Sequence, residues 1–268
     1  CCWPDCSGAF SVAGALAVAL AFNLLMQREG DPHLLTYTTH GYLSNFIGGS
    51  LDVLPHRDLT PLVLPSETPD PVPVTMWEPH GFGPGDPLPL LLAHDGPEYD
   101  RLAALTHYSG ALIAGGVLPP HRVLLAHPVL RDAWYSGSPQ YLRTISGAGL
   151  ARIRQLYAVR SPIVVMGASL GGLTALLVGL VGDPAIGGVF AQSGSFFQVR
   201  TDPMEVGFRY FPRIVDRVRA ILHARHTDHP LRVGLTCGVL EKNAPNNAAM
   251  ATALERAAHC HIAGCRTR

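Results

Sequence analysis

Residues 163–172 read Ile163-Val-Val-Met-Gly-Ala-Ser-Leu-Gly-Gly172, and the fold turns on how this stretch is understood. Four apolar residues, 163–166, have the character of a strand buried on both faces. A G-x-S-x-G turn follows at Gly167-Ala168-Ser169-Leu170-Gly171, after which Leu173, Leu176, Leu177 and Leu180 recur at helical spacing. A strand passing through one tight turn into a helix holds the serine in a strained backbone conformation. Glycines two residues before and two after it let strand and helix approach without a clash. The start of the helix also presents unpaired N–H groups, which favour a developing negative charge nearby. An ordinary glycine-rich turn with a capping serine has the same five residues. The apolar strand before and the apolar helix after favour the strained turn.

Working outward, continuous apolar runs appear at Leu88–Ala93, 123–126, 189–191 and 233–236, with Val72–Trp77 as a strand entering the domain. Helical stretches alternate with them at 99–114, 147–157, Leu170–Val181, 211–226 and 246–258. Strands alternating with helices require parallel pairing through right-handed crossovers, so the expected fold class is α/β with a doubly wound, mostly parallel sheet. Upstream, residues 30–70 carry Pro55, Pro61, Pro65 and Pro69, which fits extended segments and edge strands better than helix.

Composition excludes several classes. The 268 residues include 20 basic and 20 acidic side chains, 15% charged and 47% hydrophobic. Disorder requires low hydrophobicity and high net charge, and the chain has neither. No basic excess is present to displace counterions from a nucleic acid. Residues 8–26 form the one long uncharged run, about the length that crosses a bilayer core. It reads as a membrane anchor or uncleaved signal, as a cleaved signal, or as a buried helix. The domain division is therefore 1–28 for the apolar N-terminal segment and 29–268 for the α/β domain. If 8–26 is an anchor or signal the protein is membrane-associated or exported, and otherwise cytoplasmic. Six cysteines show neither a CxxC pair nor a paired zinc spacing.

A serine hydroxyl is a weak nucleophile until a histidine takes its proton and an acid orients that histidine. On a strand–turn–helix serine of this kind, the partners follow in the order acid, then histidine. Glu241, in the loop after 233–236, is the expected acid; Asp202 and Asp228 are also in range, and a solvated glutamate beside Lys242 is the plain alternative. Downstream of Glu241 the histidines are His259 and His261. Neither follows a recognisable last strand. Oxyanion donors are expected from the backbone N–H of Leu170 and from the loop His94-Asp95-Gly96, where Gly96 or Asp95 would contribute. His94, on the loop facing the turn, is the upstream histidine within reach.

With these pieces in order, the chain resembles the esterase D / enterochelin esterase-like family of α/β-hydrolases from about residue 72 to residue 247. The resemblance rests on Pro89-Leu-Pro-Leu-Leu-Leu-Ala-His-Asp-Gly96, Arg131-Asp-Ala-Trp-Tyr135, Met166-Gly-Ala-Ser-Leu-Gly-Gly-Leu173, Phe190-Ala-Gln-Ser-Gly-Ser-Phe-Phe197 and the Gly-x-x-Glu-x-Asn segment from Gly238 to Asn243. It implies an α/β-hydrolase fold and serine ester hydrolysis through an acyl-enzyme on Ser169. The partner would be a small-molecule ester or lactone, with no metal or organic cofactor. Acyl transfer would use the same residues.

Family members place the histidine in a Gly-Gly-His-like turn after one more strand. This sequence shows Ala257-Ala-His-Cys-His-Ile-Ala-Gly-Cys-Arg-Thr-Arg268 instead. The C-terminal end is therefore expected to be incomplete, and a non-catalytic relative that keeps the serine turn without its base is the rival reading. Two histidine-rich groups, His223/His226/His229 and His259/Cys260/His261/Cys265, have ligand-type residues but read as a solvated helix end and a tail.

Overall fold

The computed structural model describes residues 59–116, 118–181, 183–226, 229, 231–238, 241–257 and, as backbone, 260–263. The apolar stretch 8–26, the boundary at residue 28, Asp228 and His259 lie outside the described residues. Among the described residues, eight strands form one sheet: β1 (Leu59–Leu64), β2 (Val72–Trp77), β3 (Leu88–Ala93), β4 (Arg122–Ala126), β5 (Val159–Ala168), β6 (Ile186–Gln192), β7 (Arg232–Thr236) and β8 (Cys260–Ala263). Their order is β1-β2-β4-β3-β5-β6-β7-β8. β1 pairs antiparallel with β2 and β2 antiparallel with β4, while every other pair is parallel. Pro61, which has no N–H for a ladder, lies on the exposed edge strand β1, the position in a sheet that tolerates it.

The helices are α1 (Gly96–Ala103), α2 (Leu105–Ala114), α3 (Arg131–Tyr135), α4 (Pro139–Arg143), α5 (Leu150–Leu156), α6 (Leu170–Val181), α7 (Phe211–His223) and α8 (Ala244–Arg256), with a π-helical segment Thr144–Gly149 ahead of α5. Successive side chains of a strand point to opposite faces, and the core divides accordingly. Leu90 and Leu92 of β3, Leu124 of β4 and Val165 of β5 pack on one face with Leu173 and Leu176 of α6 and Ile214 and Val218 of α7. Leu91 and Ala93, Val123 and Leu125, and Met166 pack on the other with Tyr99 of α1 and Leu105 and Leu112 of α2. All six residues of β3 are buried, as helix cover on both faces of a central parallel strand requires.

Several expectations change in detail. The single helix over 99–114 is two helices, because Ala104 adopts a left-handed conformation (φ 50°) and ends α1 before α2 begins. The helix over 147–157 starts as the π-helical segment, where Gly149 lies so close to the Thr144 carbonyl that a Cβ would be 2.5 Å from it. The last strand, which the sequence did not reveal, exists: β8 pairs parallel with β7, Val233 opposite His261 and Leu235 opposite Ala263. Four residues with only Ile262 β-branched give too weak a strand pattern to read alone. Among the described residues, no helix is long and apolar enough to cross a membrane.

Candidate active site

The register β5–β6–β7 aligns Ala168, Gln192 and Thr236 at the carboxyl edge of the sheet, and the chemistry-bearing loops leave from that line. Ser169 follows directly, with φ 55°, in the left-handed region that a serine rarely adopts. Its backbone is held from both sides: its N–H donates to the Gln192 carbonyl (2.9 Å), and its own carbonyl accepts from Leu173 (3.1 Å) and Ser195 (3.0 Å). A Cβ on Gly167 would fall 2.4 Å from the Gly171 backbone, so only glycine lets β5 and α6 meet this closely. The strained turn expected from the sequence is therefore the one the chain forms.

The Ser169 hydroxyl is hydrogen-bonded to the Ser195 hydroxyl at 3.0 Å, and among the described residues it contacts no imidazole. Ser195 is buried and belongs to the loop Gln192-Ser193-Gly194-Ser195, which Asn247 and Asn243 clamp from α8 and its approach. The Asn247 amide accepts from the Gly194 N–H and donates to the Gly194 carbonyl, both at 3.0 Å; Asn243 donates to the Ser193 carbonyl at 2.6 Å. The sequence reading placed Gln-Ser-Gly-Ser at a strand end without giving Ser195, Asn243 or Asn247 a task. The turn-prone Ser-Gly pair and two asparagines around a helix start were the available signals.

Glu241 reaches the same loop. Its Oε1 accepts from the Ser193 hydroxyl (2.8 Å) and from the Gly238 N–H (2.7 Å). Nearby, burial and then the Glu241 charge push the Cys237 thiol up to about 11, so it stays protonated at neutral pH. Glu241 and Ser169 line one cleft of about 610 Å³ together with Leu170, Ser195, Phe197, Met204, Glu205 and Phe208. Asp202 also reaches this cleft, but its carboxylate is occupied. It accepts from the Gln198 N–H (2.8 Å), the Thr201 hydroxyl (2.7 Å) and the Asn246 amide (2.8 and 3.1 Å), and so anchors the wall instead.

On the opposite side, Asp95 (φ 54°) ends the β3 loop and caps α1. Arg131 grips its carboxylate with two hydrogen bonds of 2.8 Å, and the Asp95 N–H donates to the Tyr135 hydroxyl at 3.0 Å. That engagement removes Asp95 as an oxyanion donor and leaves the Gly96 N–H at the helix start, where intrahelical acceptors are lacking. Gly96 sits so close to β4 that a Cβ would lie 2.4 Å from the Leu125 Cα.

His94 is fully buried against Tyr135 and Tyr141, with ring centroids at 5.1 and 5.9 Å, and its Nδ1 lies 3.3 Å from the Tyr141 hydroxyl. Burial lowers its pKa to about 3, so the ring is neutral, and its Nε2 has no partner among the described residues.

Of the downstream histidines, the strand register places His261 apart from this geometry. Strand register sets His261 level with Val233, Val189 and Val165, four residues short of Ser169, or about 13 Å back along the sheet. His259 lies outside the described residues. The His223 ring bonds to the Arg219 carbonyl and the His229 ring to the Ile186 carbonyl. Among the described residues, no group of three histidine, cysteine, aspartate or glutamate side chains could hold a metal.

The antiparallel lead-in, the strand order and the serine turn at the end of β5 define an α/β-hydrolase fold, the fold of serine hydrolases and esterases. The solved structures it is similar to are esterases and hydrolases of that kind. One is the enterobactin esterase FES from Shigella flexneri with 2,3-dihydroxy-N-benzoyl-glycine: TM-score 0.62 at 20% identity, covering 78% of this chain and 54% of that one. Another is a ferulic acid esterase, with TM-score 0.64 at 15% identity, covering 78% of this chain and 89% of the other. A third is an IroE-like serine hydrolase from Shewanella oneidensis, with TM-score 0.57 at 18% identity over 77% and 72% of the two chains. The chain spans about half the length of the enterobactin esterases it matches. No family model and no curated protein sequence matches it.

Proposed function

We propose that the protein is a serine ester hydrolase that works through an acyl-enzyme. The Ser169 hydroxyl attacks the ester carbonyl, and the backbone N–H groups of Leu170 and Gly96 receive the oxyanion. The alkoxide leaves with a proton, and water then releases the acid. Glu241 is the carboxylate that orients the base, and the base is drawn from His259 or His261. A small-molecule ester or lactone is the substrate, and no metal or organic cofactor takes part. The observation that carries this reading is Ser169 itself: φ 55° on a β5–α6 turn, facing a cleft that Glu241 also lines.

A fluorophosphonate probe should label the folded protein at neutral pH. Ser169→Ala should abolish labelling, and Glu241→Gln should slow it by at least about tenfold through loss of base orientation. Folded protein that the probe leaves unmodified would sink the proposal.

A second reading, an α/β-hydrolase fold that keeps the serine turn without a working base, is favoured by the register of His261 and by the absence of an imidazole on Ser169 among the described residues. It expects folded protein that the probe leaves essentially unlabelled, with no further loss when His259 and His261 are both replaced by alanine. Labelling that this double variant loses favours the first reading.

A further inference from the structure

Part of the cleft lining comes from the segment 197–208, through Phe197, Asp202, Met204, Glu205 and Phe208, and its chemistry bears on what enters. The proposal below rests on the hydrolase reading and adds the charge class of the substrate. This segment contains the short 3₁₀ turn Pro203–Glu205 and presents to the cleft the exposed side chain of Met204 (60%) with the half-buried Phe197 and Phe208. Exposed apolar side chains clustered on the wall of a cleft mark a binding surface. Its position is fixed, because Asp202 is buried and tied to Gln198, Thr201 and Asn246.

The charged side chains that line the cleft are mostly acidic, and Arg200 of the same segment is not among them. Glu205 lines the cleft among Met204 and Phe208, and among the described residues its carboxylate makes no hydrogen bond or ion pair. Asp202 adds a second negative charge, whereas the Glu241 charge is offset by the adjacent Lys242, the one cation lining the cleft among the described residues. An unpaired carboxylate set in an aromatic and aliphatic wall attracts cations and repels anions.

We infer that the cleft takes esters whose apolar acyl part carries a positive charge in preference to those carrying a negative one, with Glu205 as the residue that sets the preference. At the spacing of a bound ligand, one charge on a partly solvated wall is worth about five- to tenfold in affinity at low salt and less at high salt.

The test is binding, so it does not depend on turnover. Ethyl 4-(aminomethyl)benzoate, ethyl 4-methylbenzoate and monoethyl terephthalate share one aryl acyl skeleton and differ in charge. Titrated calorimetrically into the Ser169→Ala protein at low ionic strength, the cationic ester should bind about five- to tenfold more tightly than the anionic one, with the neutral ester between. Glu205→Gln in the same background should reduce the ratio to about twofold, and added salt should narrow it in the parent. Three outcomes overturn the inference: an anionic ester that binds as tightly as the cationic one, a ratio that Glu205→Gln leaves unchanged, or no measurable binding of any of the three. Failure of the hydrolase reading shows separately, as the absence of fluorophosphonate labelling in wild-type protein.

Discussion

At the scale of single residues, the strain at Ser169 is held in place by neighbours that accept from its N–H or donate to its carbonyl. A serine in the left-handed region costs on the order of 1–2 kcal/mol, and such strain persists only where the surroundings over-determine it. Gln192, Leu173 and Ser195 do so through the backbone, and Ser195 adds the one side-chain hydrogen bond to Ser169 among the described residues. Ser195→Ala removes a hydrogen bond that fixes the Ser169 rotamer while leaving the backbone clamp in place. The expected result is a fluorophosphonate labelling rate about three- to tenfold lower, with stability changed by about 1 kcal/mol. A labelling rate equal to wild type, measured at saturating and subsaturating probe, would confine Ser195 to packing. The strained turn at Ser169 was legible in the sequence, because a turn between a strand and a helix is a local pattern. Ser195 was not, because its role depends on β6 lying beside β5, a non-local fact that no spacing reveals.

At the scale of elements, the site is assembled by one end of α8 acting on the loop after β6. Asn247 is buried and holds both the N–H and the carbonyl of Gly194, and its amide also reaches the Asn243 carbonyl at 2.9 Å. Asn247→Ala leaves the buried Gly194 N–H without its acceptor, while the Gly194 carbonyl keeps the Phe196 N–H at 2.8 Å, so the change costs about 1–3 kcal/mol. Asn247→Asp keeps an acceptor for the Gly194 N–H but sets a carboxylate against the Gly194 carbonyl, so it should not rescue. Urea unfolding should show the midpoint lowered in both variants, and labelling at a temperature where both remain folded should slow. A midpoint within error of wild type for Asn247→Ala would refute the clamp. Element by element, the sheet was legible where strands are buried on both faces, as in β3, whose six residues match their apolar run. It was obscured where tertiary packing overrides the local pattern. Ala104 breaks a continuous helical pattern by taking φ 50°, and β8 is recruited by the open edge of β7 despite a short, mixed sequence.

At the scale of the whole molecule, two buried histidines make folding sensitive to acid. Burial lowers His94 to about 3 and His121 to about 4, the latter partly opposed by its hydrogen bond to the Pro119 carbonyl. Both stay neutral in the folded chain at pH values where an unfolded histidine, with a pKa near 6.5, takes up a proton. Above about pH 6.5 neither state binds that proton and the histidines leave stability unchanged. As the pH falls below 6.5 the unfolded state gains protons that the folded state refuses, so stability is lost at up to about 1.4 kcal/mol per unit for each ring, until the folded pKa is reached. At pH 5 the two together withdraw about 4 kcal/mol, a large share of the 5–15 kcal/mol typical of a folded domain. The melting temperature should therefore be nearly flat from pH 8 to pH 7 and fall steeply from pH 6.5 to pH 5. His94→Phe keeps an aromatic ring against Tyr135 and Tyr141, removes the unpartnered Nε2, and should roughly halve the slope across that window. A slope unchanged in His94→Phe, with the variant folded at pH 7, would mean that His94 titrates alike in both states and that the acid sensitivity arises elsewhere.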